Sequence, residues 1–116
     1  MTELLDRGTI CWVKLDPIQG SEIGKTRPAL IISNDINNEL ADTITVIPIT
    51  TSTIKKIYPF EVGIPKGTGN LKEDSRARAN QIRTIDKKRV ISIIGHLPDD
   101  LIRQVEAAIK IHLSLK

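Results

Sequence analysis

Residues 20–33 read GSEIGKTRPALIIS, and the Gly-Lys-Thr at 24–26 imitates the loop that wraps nucleotide phosphates. That loop needs four residues between its first Gly and the Gly-Lys pair, and it must open a helix so that backbone N–H groups converge on phosphate. Here three residues separate Gly20 from Gly24, and Pro28 leads into ALIIS, a β-branched run bounded by polar residues. Such a run reads as a strand. The stretch is therefore a charged loop entering a β-strand, and the chain belongs with β architectures instead of nucleotide-binding α/β ones. Pro28 disfavours the α region for Arg27, so Arg27 is expected extended at the mouth of that strand.

The same reading extends in both directions. GTICWVKLD (8–16) precedes the loop as a strand, and TITVIPI (43–49) comes after a polar excursion, NDINNELAD (34–42). Pro48 cannot donate a ladder bond and marks a bulge or the strand's end. YPFEVGI (58–64) alternates as a strand, PKGTGNLKED (65–74) is a connection, and SRARANQIRTI (75–85) reads as one long strand. DKKRV (86–90) forms one helical turn capped by Asp86 before ISIIGHL (91–97) returns to strand. Only PDDLIRQVEAAIKIHLSLK (98–116) is clearly helical, with Leu101, Val105, Ala108, Ile109 and His112 on one stripe beside Ile102. Short antiparallel strands, tight turns and one terminal helix predict a small, mainly β barrel with a C-terminal α-helix, since a parallel sheet needs more crossover helices.

At 116 residues the chain is expected to form one domain, residues 1–116. Large aliphatics on both faces of short strands, such as Ile31 and Ile32 or Val46 and Ile47, predict that a second copy covers part of the surface. The formal charge is +3, with basic residues at 55–56, 76, 78, 83 and 87–89. This permits an anionic partner such as nucleic acid, and equally fits a solvated surface. A single cysteine excludes a disulfide framework, and its apolar setting, TICWVKL, predicts a buried Cys11. The first residues, MTELLDRG, show no targeting pattern and no apolar run is long enough to span a bilayer, so a cytoplasmic protein is expected.

Among groups that carry chemistry, the two histidines lie apart. His112 falls on the apolar helical stripe and is expected to be packed, and His96 has no acidic partner at metal-ligand spacing, so no metal site is expected. The loop 16–27 gathers Ser21, Glu22, Lys25 and Arg27. Arg27 in this setting either grips a phosphodiester through two parallel hydrogen bonds or pairs with Glu22 across the loop. ITTST (49–53) ends a strand in hydroxyls, including Thr50 and Ser52, that are able to donate to phosphate oxygens. In RARANQIR (76–83), strand alternation sets Arg76, Arg78 and Asn80 on one face and Gln81 and Arg83 on the other, a backbone and base reader or a merely solvated sheet face. Asn80, Gln81 and Lys56 are candidates for contacts to unpaired base edges in a groove flanked by loops 17–27 and 50–57. Trp12, Tyr58 and Phe60 are too few for a stacking platform, and Trp12 and Phe60 are expected in the core.

RGTICWVKLDP, GSEIGKTRPALIIS, ITVIPITTS, YPFEV, LKEDS and QIRTIDKKRV together resemble, in order and spacing, the MazF/PemK-type toxins of toxin–antitoxin modules. The likeness covers about residues 7–113. It implies an SH3-like barrel of the MazF/CcdB type, a homodimer, and sequence-specific, ribosome-independent and metal-independent cleavage of single-stranded RNA without cofactors. It also implies a cognate antitoxin that lays an acidic segment over the RNA groove. By position, Arg27 is similar to the family's phosphate-gripping arginine, Thr50 to its active-site threonine, and Glu22 with Ser21 to its GSE loop. Ser21, Lys25, Ser52, Lys56, Arg78, Asn80 and Gln81 are then the expected RNA contacts. Two departures stand out: Asn80 where one branch has an Asp, and Thr9 in RGT where RGD is usual. An amide takes no proton at neutral pH, so an acid–base scheme using that Asp is closed to Asn80. The same fold also serves toxins that poison a DNA topoisomerase without cutting RNA, which is the alternative function.

Overall fold

The computed structural model describes residues 5–52 and 56–116. Its seven strands are β1 (Thr9–Lys14), β2 (Thr26–Ile31), β3 (Thr43–Thr51), β4 (Glu61–Ile64), β5 (Ser75–Arg78), β6 (Arg83–Asp86) and β7 (Val90–His96). Two helices accompany them, α1 (Asp35–Leu40) and α2 (Asp99–Leu113). The antiparallel sheet runs β4-β5-β3-β2-β1-β7, with β6 also on β3. This is the expected barrel-like antiparallel core with a C-terminal helix, and the segment after Lys25 is a strand, as its β-branched run requires.

β3 organises the sheet because both of its faces are buried. Ile47 and Ile49 join a cluster with Leu30, Ile64 and Val105 of α2, whereas Ile44 and Val46 join Val13, Ile31 and Ile85 on the other face. Full burial of each such side chain contributes about 1.5–3 kcal/mol relative to exposure. β3 also changes partners along its length. Its first half pairs with β6 and its end with β5, through Val46↔Arg83 and Thr50↔Arg76. Between those pairs β3 takes four steps and its partner seven, and the surplus of three residues is the 3₁₀ turn Ala79–Gln81. Pro48 lies in this interval, so its missing N–H falls where the ladder is already interrupted.

Four expectations are corrected. SRARANQIRTI is two strands around that turn, not one. The excursion 34–42 holds α1, capped by Asn34, whose Oδ1 accepts from the Asn37 N–H at 2.8 Å. Trp12 is 41% exposed, because β1 buries Cys11 and Val13 and turns Trp12 outward; Phe60 is only partly buried and stacks on exposed Tyr58, with ring centroids 5.5 Å apart. His112 is exposed, since α2 seats Val105 and Ala108 in the core and its last turn runs past the sheet. Other expectations hold: Asp86 caps the turn Lys87–Arg89, accepting from the Lys88 N–H at 2.8 Å, and Cys11 is fully buried. No helix among the described residues is long and apolar enough to cross a membrane.

Candidate functional site

The strand registers align the charged and hydroxyl side chains. β2 pairs with β3 through Leu30↔Ile47 and Ala29↔Pro48, where that ladder ends, and strand alternation puts Arg27 and Thr50, each two residues further along its strand, on the face of Ala29 and Pro48. Thr50 is in turn paired with Arg76 of β5, Arg76 with Gly63 of β4, and Arg27 with Val13 of β1. Directly opposed residues of antiparallel strands share a face. Val13 with Arg27, and Thr50 with Arg76 and Gly63, are thus two paired runs that make a row on one face of the five strands, with Arg78 two residues along. The row is apolar at β1 and carries two guanidiniums flanking a hydroxyl at its centre.

Arg27 is held by the loop that precedes it. Its Nε donates to the Gly24 carbonyl at 2.9 Å, and among the described residues it makes no ion pair. The pairing with Glu22 therefore does not form. Glu22 instead closes its own turn, its Oε1 accepting from the Gln19 N–H at 2.6 Å on an exposed stretch that includes Ser21. Lys25 has a left-handed backbone, φ 67°, which costs a side-chain-bearing residue about 1 kcal/mol or more. Its N–H donates to Asp16 Oδ1 at 2.9 Å and its carbonyl accepts from the Leu15 N–H at 2.9 Å, which hold the turn.

Three side chains from later in the chain fasten this loop. Gln81 Oε1 accepts from the Ile23 N–H at 3.2 Å, Arg83 Nη1 donates to the Leu15 carbonyl at 3.2 Å, and Arg89 Nη1 donates to the carbonyls of Lys14, at 3.0 Å, and Asp16. The expected alternation holds for Arg76 and Arg78, which share a face, and ends there: Asn80 and Gln81 lie in the 3₁₀ turn, and Gln81 and Arg83 turn to the loop. Asn80 Oδ1 is buried and makes no hydrogen bond with the described residues. Ser52 is half-buried at the end of β3, its N–H donating to the Asp74 carbonyl at 3.0 Å. Lys56 stands 5.4 Å from the centre of the Tyr58 ring, a cation–π contact. Of the flanking segments expected at 17–27 and 50–57, positions 53–55, including Thr53 and Lys55, lie outside the described residues.

Sequence reading passed over Glu61 and took Arg76 only as one member of a basic strand face. Glu61, in β4, is buried; its Oε1 accepts from Arg76 Nη1 at 3.0 Å and its Oε2 lies 2.8 Å from Arg78 Nε. The only hint of this was a lone acid in an otherwise apolar strand, YPFEVGI. No three of His, Cys, Asp or Glu among the described residues gather into a metal-binding group.

Residues 6–113 match the family described as PemK-like, MazF-like toxin of type II toxin-antitoxin system. The chain belongs to this PemK/MazF-like toxin family. It is 41% identical to endoribonuclease MazF9 of Mycobacterium tuberculosis, over 97% of this chain and 98% of that protein. To endoribonuclease EndoA of Bacillus subtilis it is 38% identical, over 97% of each. Among solved structures, MazF of Deinococcus radiodurans shares the fold with a TM-score of 0.83 and 27% identity, over 97% of this chain and 99% of that one. A mycobacterial endoribonuclease solved with its cognate antitoxin shares the fold at a TM-score of 0.78 and 20% identity, over 96% of each chain. Within this PemK/MazF-like fold, Arg27, Thr50 and Arg76 share one face of β2, β3 and β5.

Proposed function

We propose that this toxin is an endoribonuclease that cuts single-stranded RNA at selected sequences, without the ribosome and without a metal. The observation that carries this reading is the face on which Arg27, Thr50 and Arg76 stand together, on a chain of the PemK/MazF-like toxin family. A guanidinium stays cationic and presents a planar fork that matches phosphate oxygens. The simplest chemistry for these groups is attack of the substrate's own 2′-oxygen on the adjacent phosphorus. The O2′–P bond forms as P–O5′ breaks, the 2′-OH proton passes to an acceptor, and O5′ takes a proton. The products are a 2′,3′-cyclic phosphate and a 5′-OH. Arg27 binds the phosphate and stabilises its developing charge, Thr50 donates a further hydrogen bond, and Glu22, one of whose oxygens is committed to Gln19, is the proposed proton acceptor. Asn80 cannot replace it in that role.

Ser21, Lys25, Ser52, Lys56, Arg78, Asn80 and Gln81 are the proposed RNA contacts around this centre. Base edges are reached only in unpaired strands, so a duplex is excluded from the groove. A cognate antitoxin with an acidic segment would compete for the same basic row, and a homodimer would join two rows into a longer groove. The test is single-turnover cleavage of a long single-stranded RNA in chelator, with the product ends identified. Defined cuts ending in 2′,3′-cyclic phosphate and 5′-OH are expected. Intact RNA at protein excess, or a 5′-phosphate product, would overturn the reading.

A further inference from the structure

The geometry points to a second phosphate-contacting arginine, Arg76, and to Glu61 as the positioning residue that aims it; this rests on the function proposed above. Arg76 is the cross-strand partner of Thr50 on β5, and Arg27 stands on the same face of β2, the neighbour of β3 on the other side. A phosphate seated on the Thr50 hydroxyl therefore lies between two guanidiniums, one from each neighbouring strand. The side chain of Arg76 is only 14% exposed and that of Glu61 only 3%. A solvated surface pair would look different: long, mobile and exposed on both sides.

Glu61 is held on three sides. Its Oε1 accepts from Arg76 Nη1 at 3.0 Å and from the Tyr58 N–H at 3.1 Å, and its Oε2 sits 2.8 Å from Arg78 Nε. The two arginines are two residues apart on β5, and strand alternation brings both to the face where Glu61 stands opposite Arg78. One carboxylate thus hydrogen-bonds the Arg76 guanidinium and faces that of Arg78 as an ion pair without a hydrogen bond at Nε, and the trio keeps one net positive charge. Burying three charges costs desolvation that aliphatic residues would avoid, so a buried ionic cluster is weak support for stability and better suited to fixing geometry. A carboxylate beside a phosphate-binding row also weakens attraction for RNA. Glu61 therefore trades affinity for orientation, and this sign separates positioning from a merely structural role.

The test uses the site cut in a single-stranded RNA, with a single 2′-deoxy substitution there for binding and the all-ribose strand for single-turnover cleavage. Arg76→Gln is expected to slow cleavage by about tenfold or more and to lower the slope of log affinity against log salt by about one contact. Glu61→Gln keeps the shape and removes the charge; it is expected to bind the 2′-deoxy RNA as tightly as the unaltered chain, or more tightly, while cleaving about tenfold more slowly. Arg76→Lys, which keeps charge but not the fork, is expected to recover the salt slope and little of the rate. Binding and cleavage weakening together in Glu61→Gln, or neither changing in Arg76→Gln, overturns the inference. Arg27→Ala in the same series separates the two levels. If it abolishes cutting while Arg76→Gln cuts normally, only the role of Arg76 and Glu61 falls; if the unaltered chain leaves RNA whole, both fall.

Discussion

Arg27 is extended because Pro28 comes next, and its Nε is tied to Gly24, so the proposed phosphate grip is set before any ligand arrives. Arg27→Ala should slow the chemical step by about a hundredfold or more, the scale of losing a positioned electrostatic donor. Arg27→Lys should rescue little, because a point charge does not reproduce a planar fork. Thr50→Val keeps the shape and removes the hydroxyl, so melting should be unchanged while single-turnover cleavage slows. Cys11 gives a prediction of another kind. Burial pushes its thiol up to about 12, whereas in the unfolded chain it ionises near its ordinary value of about 8.5. Above that value the unfolded state has lost a proton that the folded state retains. Stability is therefore fully present below about pH 8.5 and falls between there and about 12, by at most about 1.4 kcal/mol per pH unit. Denaturant melts across this range should fall less steeply for Cys11→Ala than for the unaltered chain, measured as the difference between the two.

At the scale of elements, what was legible is what burial periodicity writes into the chain. The β-branched runs of β2 and β3 and the amphipathic stripe of α2 were read from sequence because their apolar residues repeat at the period of the element. α1 was not, because Ile36 and Leu40 are exposed and its one buried residue is polar, Asn38, hydrogen-bonded to Ser33. Its only signal was the cap at Asn34. Asn34→Ala should accordingly cost about 1 kcal/mol, read by chemical denaturation, as for other lost N-caps. The break after Arg78 was equally silent, since RARANQIR alternates correctly on paper and only the register with β3 shows three residues too many. The site was half legible for the same reason: Arg27 and Thr50 were carried by a family likeness, but the role of Glu61 depends on a strand pairing that no local pattern encodes.

At the scale of the whole molecule, Trp12, Ile91 and Ile93 leave apolar surface exposed where β1 pairs with β7, the last strand of the sheet. A second copy is the proposed cover. Sedimentation at micromolar concentration should give a dimer, and Ile91→Glu should shift it towards monomer; a monomeric unaltered chain would refute the proposal. The fastening of the loop 14–25 by Gln81, Arg83 and Arg89 has a consequence for synthesis. The chain emerges from its N-terminus, and early segments wait for distant partners before they settle. A nascent chain halted before residue 81 already carries Arg27, Thr50 and Arg76, yet the clasps that hold the Arg27 loop have not been made. Ribosome-bound chains of that length should leave RNA uncut, and cutting should begin only as the clasp residues clear the tunnel. A cell making this toxin would then have the interval of one nearly complete translation in which the growing chain is harmless.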